Sequence, residues 1–266
     1  MILVTGANGK LGSATLAVLR GRGAAATGGS RGPGAGMRRL DFDDRGSLDL
    51  AGISTLVLIS AGYAEDDQVV ARHAAVLEAA VRDGVEHVVY TSLTGAGDHL
   101  GFALAHRATE RLLLASGLPW TILRNGLYAE LFGWLLSWAD DGVTSAFGTG
   151  AVAAVARADL AEAAANPARH DGRVYELVGT PITARQVADR LGVGHRVISL
   201  GEYRRGLLDE TSGLLPFQSP MFASIATSIR HGFLDGTAPD LADLLGRPAR
   251  DPLPVAVAAA SASKPG

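Results

Sequence analysis

Three glycines spaced three residues apart, Gly6, Gly9 and Gly12, separate an apolar run from a helical pattern in the segment ILVTGANGKLGSATLAVL (2–19). A side chain at these positions would hold the backbone away from a pyrophosphate, which needs free N–H groups and the positive end of a helix dipole. The order of strand, glycine-rich turn and helix predicts a phosphate-binding turn. A tight strand-to-helix turn without a ligand is the alternative interpretation.

Short β-type runs alternate with helical patterns along the first half of the chain, which is typical of βαβ units. We therefore expect an α/β fold, a Rossmann-type doubly wound parallel sheet with a small C-terminal substrate lobe. Strands are predicted at 1–4, 24–27, 37–40, 55–59, 87–93, 119–125 and 172–179, and helices at 11–20, 70–81, 105–115, 156–165 and 182–191. In the last of these helices, Thr183 and Gln186 form a capping-box pattern.

The alternation weakens beyond Gly126, where aromatic residues cluster at Tyr128, Phe132, Trp134 and Trp138. We expect the Rossmann domain to comprise 1–126 and about 150–179, and the small lobe to comprise about 127–149 and 180–250. Trp134 and Trp138 share helical spacing, which favours the core of the lobe over a substrate wall. The segment VAVAAASASKPG (255–266) has no turn signal or periodicity, so we expect a flexible tail.

Composition argues against several classes of partner. The net charge is -3, the pI is about 6.2, and no block of like charge occurs, so neither nucleic acid nor an anionic membrane is an expected partner. The absence of cysteine excludes disulfides, thiolate metal sites and thiol nucleophiles. The chain begins in a strand-like run without a signal-peptide pattern, and no apolar stretch approaches the roughly 20 residues of a membrane span, so we expect a cytoplasmic protein.

The choice between NAD and NADP depends on the end of the second strand. An NAD site usually places Asp or Glu there to bind the ribose 2′-hydroxyl, whereas ATGGSRGPGAG (26–36) contains no acid and offers Ser30 and Arg31. A guanidinium forms charge-assisted hydrogen bonds with a 2′-phosphate, so the sequence favours NADP(H). The alternative for Arg31 is a solvated loop arginine.

Other loops at the carboxyl ends of strands should line the same crevice. Asp41 and Phe42 follow the third strand and are candidates for contact with adenine, and Ser60 and Ala61 follow the fourth and should run beneath the cofactor. The full predicted cofactor-binding set comprises Gly6, Asn8, Gly9, Lys10, Leu11, Gly12, Ser30, Arg31, Asp41, Phe42, Ser60, Ala61, Thr91 and Ser92. No metal site is predicted.

The spacing G-x-x-G-x-x-G resembles the loop of atypical or extended short-chain dehydrogenase/reductases. Most enzymes of that superfamily protonate the product through a Tyr-x-x-x-Lys pair. Here the residues four positions after Tyr63, Tyr90, Tyr128, Tyr175 and Tyr203 are Asp67, Thr94, Phe132, Gly179 and Leu207. The lysines of the chain are Lys10 and Lys264, so the usual pair is absent.

A histidine and a glutamate stand where that pair would be. Ser92 occupies the place of the superfamily's serine, and His106 and Glu110 follow at about the positions of its tyrosine and lysine. Because residues at i and i+4 share a helix face, His106 could donate a proton with Glu110 orienting or charging it. A surface pair on a polar helix face is the alternative.

The missing pair also bears on the substrate. Reduction of a simple ketone gives a strongly basic alkoxide that needs a positioned acid, whereas hydride addition to a quinone gives a phenolate-like anion with a pKa near the value of about 10 for tyrosine. Water or a histidine can protonate such an anion. The sequence therefore favours a conjugated acceptor.

Several segments together resemble the NmrA-like atypical short-chain dehydrogenases, within them most closely the bacterial NADPH:quinone oxidoreductase type 2 and triphenylmethane reductase group. These segments are TGANGKLG, YTSLTGAG, HRATERLLLASGLPWTILRNGLYAE, ARADLAEAAA and GRVYELVG. The resemblance runs from Met1 to about Leu177 and continues less clearly to about Leu245. It implies NADPH binding through the glycines and Arg31, and it implies that Asn125, Gly126 and Tyr128 lie near the nicotinamide and the substrate.

These observations lead to one main functional hypothesis, an NADPH-dependent oxidoreductase that reduces quinones or related conjugated aromatic acceptors by hydride transfer. Its candidate catalytic residues are His106, Tyr128 and Asn125. The alternative is a non-catalytic NADP(H) redox sensor of the NmrA type, which would equally lack the catalytic pair. A redox-neutral enzyme that uses His106 as a base is a third possibility. The sequence makes no prediction about oligomeric state.

Overall fold

A computed structural model describes residues 1–61, 64–166 and 172–264. The chain divides into two compact units, one formed by Met1–Leu93, Leu104–Asn125 and Ala158–Tyr175, the other by Thr94–Ala103, Gly126–Arg157 and Glu176–Gly266. The predicted Rossmann domain includes 94–103, Gly126, 150–157 and 176–179, whereas in the structure these segments belong to the second unit. Tyr63 lies outside the described residues.

The first unit is built on a seven-stranded sheet. Its strands are β1 (Ile2–Val4), β2 (Ala26–Ser30), β3 (Met37–Arg39), β4 (Thr55–Ile59), β5 (His87–Leu93), β6 (Trp120–Asn125) and, last along the chain, β10 (Arg173–Leu177). Its helices are α1 (Lys10–Gly21), α2 (Asp66–Arg82), α3 (Ala103–Ala115) and α5 (Arg157–Ala164). The predicted strands and helices of this unit are present, with ends shifted by a few residues.

The strand order is β10-β6-β5-β4-β1-β2-β3, and each pairing from β3 to β6 is parallel. The order reverses at β1, which pairs with both β2 and β4. In open α/β sheets ligands bind beyond the carboxyl ends of the strands at such a reversal. The glycine turn follows β1, so it lies at this point, and the Rossmann-type fold is confirmed.

A buried apolar core holds the strands of this sheet in place. Leu3, Leu56 and Val88 come from successive neighbouring strands and pack against Val76 of α2 and Leu113 of α3, and none of the five is exposed to solvent. The strands β1, β4 and β5 are nearly continuous apolar runs, which is typical of strands buried on both faces. The polar residues that follow each run are thereby held at one edge of the sheet.

The second unit contains the other α-helices and strands of the described residues. They are α4 (Ala129–Trp134), β7 (Ser137–Ala139), β8 (Gly142–Ser145), β9 (Ala151–Ala154), β11 (Thr180–Thr183), α6 (Ala184–Leu191), β12 (Gly194–Val197), α7 (Leu200–Leu207), α8 (Gln218–Arg230), α9 (Asp240–Leu245) and α10 (Pro252–Ala262). β9 pairs antiparallel with β11, and β8 pairs with β7 and β12. Thr183 and Gln186 form the predicted capping box at the start of α6.

The expectation of a flexible tail at 255–266 is wrong for 255–262, which belong to α10. Residues 265–266 lie outside the described part of the chain. Asp251 caps α10 by accepting a hydrogen bond from the amide of Leu253 at 3.0 Å, and the alanines that follow favour helix. A Cβ on Gly133 would overlap the carbonyl oxygen of Ala256, so the glycine lets α4 and α10 pack closely. A uniformly small, apolar sequence shows no period, which is why the pattern did not predict this helix.

The expectation that Trp134 belongs to the core is also wrong, since its side chain is 52% exposed. The buried face of the short helix α4 is formed by Ala129, Phe132 and Gly133. Trp138 is in β7 and not on that helix, so the helical spacing of the two tryptophans does not apply. None of the helices among the described residues is long and apolar enough to cross a membrane.

Candidate active site

The turn between β1 and α1, which contains Gly6, Gly9 and Gly12, has a backbone geometry that suits an anion, and we call it the glycine cradle. Gly6 has φ +59, a backbone conformation that L side chains rarely adopt, and its carbonyl accepts the amide of Gly9 at 2.8 Å. A Cβ on Gly12 would overlap the carbonyl of Gly6 and lie 2.8 Å from that of Thr5. The N-cap of α1 is Gly9, which has no side chain to accept hydrogen bonds from the first amides of the helix, so these amides can face a ligand.

The remaining predicted residues of this turn divide by exposure. Asn8 and Lys10 are exposed together with Gly9, whereas Leu11 is buried and anchors the first turn of α1 in the core. The Asn8 amide nitrogen donates to the Ser30 hydroxyl at 3.1 Å and to the Gly32 carbonyl at 2.8 Å. These bonds connect the glycine turn to the end of β2. The structure therefore brings the predicted pyrophosphate-binding turn and the predicted 2′-phosphate-binding residues together.

Arg31 is exposed directly after β2 and lies near acidic side chains. Its positive charge contributes to lowering the pKa of Asp43, although the larger cause is a hydrogen bond from Arg72. Arg72 binds both carboxylate oxygens of Asp43 at 2.7 Å. Because Arg72 already makes two hydrogen bonds to this carboxylate, the guanidinium of Arg31 is not needed to balance the charge of Asp43.

The loop after β3 is ordered by its own side chains. Asp41 accepts the amide of Asp43 at 3.1 Å, and its own amide donates to Ser47 at 2.8 Å. Phe42 is half-buried, packs against the core and meets the ring of His73 edge-on at 6.4 Å. Contact of Asp41 and Phe42 with adenine stays a prediction.

The backbone amides of the loop after β4 donate hydrogen bonds to side chains of the protein. The amide of Ser60 donates to Thr91 Oγ1 at 3.1 Å, and that of Ala61 donates to His73 Nε2 at 2.9 Å. These two amides therefore cannot donate to a cofactor, although the segment can still run beneath one. Thr91, two residues before the end of β5, supports the neighbouring loop through this hydrogen bond.

Glu110 is the centre of a buried ion cluster. It accepts hydrogen bonds from Ser92 at 2.6 Å, from Arg107 at 2.8 Å and from Arg124 at 3.0 and 2.8 Å, and it is 5% exposed. Burial raises its pKa, but the hydrogen bonds from Arg124 and Ser92 and both positive charges outweigh that effect and lower it. The Ser92 proton is committed to this carboxylate. Glu110 therefore forms no surface pair with His106, contrary to the alternative interpretation.

His106 instead bonds to a tyrosine that the sequence analysis did not select. Its Nδ1 lies 3.0 Å from the hydroxyl of Tyr90. Burial and the charge of Arg107 lower the pKa of His106 to about 4, although Glu110 opposes this. His106 is therefore neutral near pH 7, and its role as a proton donor stays a prediction.

Asn125 ends β6, where Leu93 is its register partner on β5. It is 6% exposed, and its Oδ1 is the buried side-chain polar atom without a hydrogen-bond partner among the described residues. An unsatisfied buried amide oxygen costs about 1–3 kcal/mol. A role of Asn125 in binding or catalysis stays a prediction.

Tyr128 precedes α4 in the second unit and pairs with Val155 through an isolated β-bridge. The guanidinium of Arg157 lies 5.0 Å from the centre of its ring. Burial raises the pKa of Tyr128, although the charge of Arg157 opposes it. Nearby, the exposed Trp134 ring lies 5.6 Å from that of Phe222.

No cluster of three or more His, Asp or Glu side chains is arranged to hold a metal ion in residues 1–61, 64–166 and 172–264. The residues that sequence reasoning missed are His73, Tyr90, Thr109, Arg107 and Arg124. A hydroxyl-bearing residue inside the predicted buried strand HVVYTSL (87–93) was the available signal for Tyr90, but it does not reveal the partner on α3.

The chain is similar over nearly its whole length to known reductases, although no family model matches it. It is 33% identical to quinone oxidoreductase 2 of Escherichia coli (strain K12) over 93% of this chain and 94% of that protein. It is 30% identical to the NmrA-like family domain-containing oxidoreductase flvB of Aspergillus flavus over 83% of this chain and 78% of that protein. The structure of Citrobacter sp. triphenylmethane reductase complexed with NADP(H) matches with a TM-score of 0.85 at 28% identity, covering 98% and 100% of the two chains. The chain belongs to the NmrA-like oxidoreductases, a group of atypical short-chain dehydrogenase/reductases.

Proposed function

We propose that this protein is an NADPH-dependent oxidoreductase that reduces quinones or related conjugated aromatic compounds by hydride transfer. The observation that carries this proposal is the glycine cradle at the point where the strand order reverses, in a chain that matches a quinone oxidoreductase over 93% of its length. The relative complexed with NADP(H) has the same fold, which supports this cofactor.

The residues around the cradle fit a dinucleotide phosphate. The glycines allow the pyrophosphate to approach the first amides of α1, where the helix dipole favours negative charge. Lys10 adds a positive charge at the first residue of α1. Ser30 ends β2 and Arg31 follows it, where a 2′-phosphate would lie. Asn8 joins these two parts of the site.

The bound NADPH would supply the hydride, and the protein would mainly orient the two reactants. The Tyr-x-x-x-Lys pair is absent from the sequence, so the usual proton donor is lacking. A neutral His106 can offer a hydrogen bond to the anionic oxygen of the reduced acceptor, and water can complete the protonation. Asn125 can offer its amide to the nicotinamide or the substrate.

Flat acceptors need rigid aromatic surfaces. Tyr128 is the best candidate for such a surface because it directly follows the loop after β6. The exposed ring of Trp134 is a second candidate, since the structure removes it from the core. The specific acceptor is best found with a panel of compounds.

The test is consumption of NADPH by the purified protein with benzoquinones and naphthoquinones, with NADH as the control. We expect turnover above the uncatalysed background and a preference for NADPH. Tight binding of NADP(H) without turnover on any acceptor would contradict this function. It would favour a redox sensor that distinguishes the oxidised and reduced cofactors by affinity.

A further inference from the structure

His73 is a buried polar residue on α2 that the proposed chemistry does not use. It is 0% exposed, and its ring meets those of Phe42 at 6.4 Å and Tyr90 at 5.7 Å edge-on. A polar ring is costly to bury unless its nitrogens make hydrogen bonds. Both nitrogens of His73 have partners, one in the loop after β4 and the other on α3. The ring therefore connects these two elements through the interior of the first unit.

The partners of His73 determine which nitrogen carries the proton. The amide of Ala61 can only donate, and it donates to Nε2 at 2.9 Å, so Nε2 is unprotonated. Burial lowers the pKa of His73 to about 3, so the ring is neutral near pH 7 and its single proton is on Nδ1. Nδ1 then donates to Thr109 Oγ1 at 2.7 Å, and Thr109 donates its own proton to the carbonyl of Ala105 at 2.8 Å. Each proton in this series has an acceptor, so the orientation of the ring is well defined.

The hydrogen bond to His73 sets the direction of the peptide between Ser60 and Ala61. These two residues are half-buried and follow the carboxyl end of β4, whereas His73 is in the interior. No described peptide is cis, and in a trans peptide the N–H and the C=O point in opposite directions. Because the Ala61 amide points at His73, the Ser60 carbonyl points away from the buried ring. No donor in the described part of the chain bonds to this carbonyl.

The strand order indicates which half of the cofactor passes over this loop. β1, which leads into the glycine cradle, has β2 on one side and β4 on the other. The proposed site places the pyrophosphate at the cradle and the 2′-phosphate at the end of β2. The nicotinamide half therefore extends the other way, over the end of β4. The hydroxyls of its ribose are donors, which a backbone carbonyl can accept.

We propose that His73 is a positioning residue for the cofactor: it turns the peptide between Ser60 and Ala61 so that the Ser60 carbonyl accepts a hydrogen bond from the ribose next to the nicotinamide. The inference rests on the proposed function for the identity of the cofactor and is independent of the acceptor that is reduced. His73 acts through the backbone and does not itself touch the cofactor. It fixes the loop before the cofactor binds, which lowers the cost of ordering it.

The first experiment measures the Kd for NADPH of His73→Gln and His73→Asn by calorimetry. The glutamine amide can reach the position of Nε2 and keep an acceptor for Ala61, whereas the shorter asparagine amide reaches only the position of Nδ1. Both variants remove the ring, so they differ in the hydrogen bond to Ala61. We expect His73→Asn to bind NADPH at least about fivefold more weakly than His73→Gln, as for one lost hydrogen bond.

The loss should be confined to the nicotinamide half of the cofactor. Adenosine 2′,5′-bisphosphate lacks that half, so its Kd should be the same in both variants. His87→Asn is the control for loss of another buried histidine, because His87 begins β5, at the opposite edge of the sheet, and bonds to Thr121 at 2.9 Å. It should leave both Kd values as in wild type. Equal NADPH binding by the two His73 variants, or an equal loss for both ligands in His73→Asn, would overturn the inference.

A second experiment on wild type keeps the test decisive if His73→Asn does not fold. NMR of the full chain labelled with ¹⁵N should show His73 protonated on Nδ1 only, with its signals assigned by their loss in His73→Gln, and slow exchange of the Ala61 amide. A proton on Nε2 would overturn the inference. If wild type binds NADPH but reduces no quinone, the proposed function fails, and the Kd values still decide the role of His73.

Discussion

Gly12 lies so close to Gly6 that a Cβ on Gly12 would overlap the carbonyl oxygen of Gly6. We therefore expect Gly12→Ala to distort the cradle and raise the Kd for NADPH at least about tenfold, measured by calorimetry. Gly21→Ala at the other end of α1 is the matched control, because nothing lies within 4 Å of the added methyl. It should leave NADPH binding unchanged and add about 0.5–1 kcal/mol of stability. Equal binding by both variants would remove the cradle from the cofactor site.

Arg31 should determine the preference for NADPH over NADH. In Arg31→Ala the 2′-phosphate loses a charge-assisted contact worth about 1.5–3 kcal/mol, so we expect NADPH to bind at least about tenfold more weakly. The affinity for NADH should hardly change, since it lacks that phosphate. Arg45→Ala, which breaks an exposed ion pair with Glu78, is the control for loss of one positive charge. Equal losses for NADPH and NADH would place Arg31 elsewhere.

Glu110 should be required for stability more than for chemistry. Glu110→Gln removes the charge that Arg107 and Arg124 share in a largely buried cluster, and we expect a loss of about 3 kcal/mol in the free energy of unfolding. Glu78→Gln breaks an exposed ion pair and should change it by less than about 0.5 kcal/mol. Urea denaturation of both variants makes the comparison. A small effect of Glu110→Gln would mean that the arginines find other partners.

Much of the first unit is predictable because its signals are local. β4 and β5 have the predicted bounds, since each is a continuous run of residues that favour strand. The glycine turn is predictable because the motif and its neighbouring elements are contiguous in sequence. The helical positions of His106 and Glu110 follow in the same way from spacing within α3.

The partners of those side chains are not predictable from spacing. His106 and Glu110 share α3, yet one bonds to Tyr90 and the other to Ser92, Arg107 and Arg124. The pairings with Tyr90, Ser92 and Arg124 depend on how α3 packs on β5 and β6, which brings together residues distant along the chain, whereas Arg107 and Glu110 are three residues apart on α3 itself. Sequence reasoning therefore found the candidate histidine but not the environment that sets its charge.

The buried histidines should make the fold sensitive to mild acid. His73 and His106 have pKa values of about 3 and about 4 in the folded protein, below the ordinary value of 6.5. The unfolded chain binds protons more readily than the folded protein. The contribution of these two histidines to the free energy of unfolding is therefore fully present above pH 6.5 and is lost as the pH falls below it. The expected slope is about 1.4 kcal/mol per pH unit for each histidine.

His73→Gln tests one of these two contributions. Glutamine can still accept from Ala61 and donate to Thr109, but it does not titrate. Between pH 6.5 and pH 5, the free energy of unfolding should fall less steeply in this variant than in wild type. Urea titrations at several pH values give both slopes. Parallel slopes would show that His73 is not held neutral by the fold.

Close packing of α4 on α10 should make the C-terminal helix a structural part of the second unit. In Gly133→Ala the added methyl would overlap the Ala256 carbonyl, so the two helices must separate, and we expect a loss of about 1–3 kcal/mol. Asp251→Ala removes the N-cap of α10 and should cost about 1 kcal/mol. Both variants should show faster hydrogen exchange in 252–262 by mass spectrometry. Exchange in that segment as fast as in an unfolded peptide, already in wild type, would instead support the flexible tail that the sequence pattern predicts.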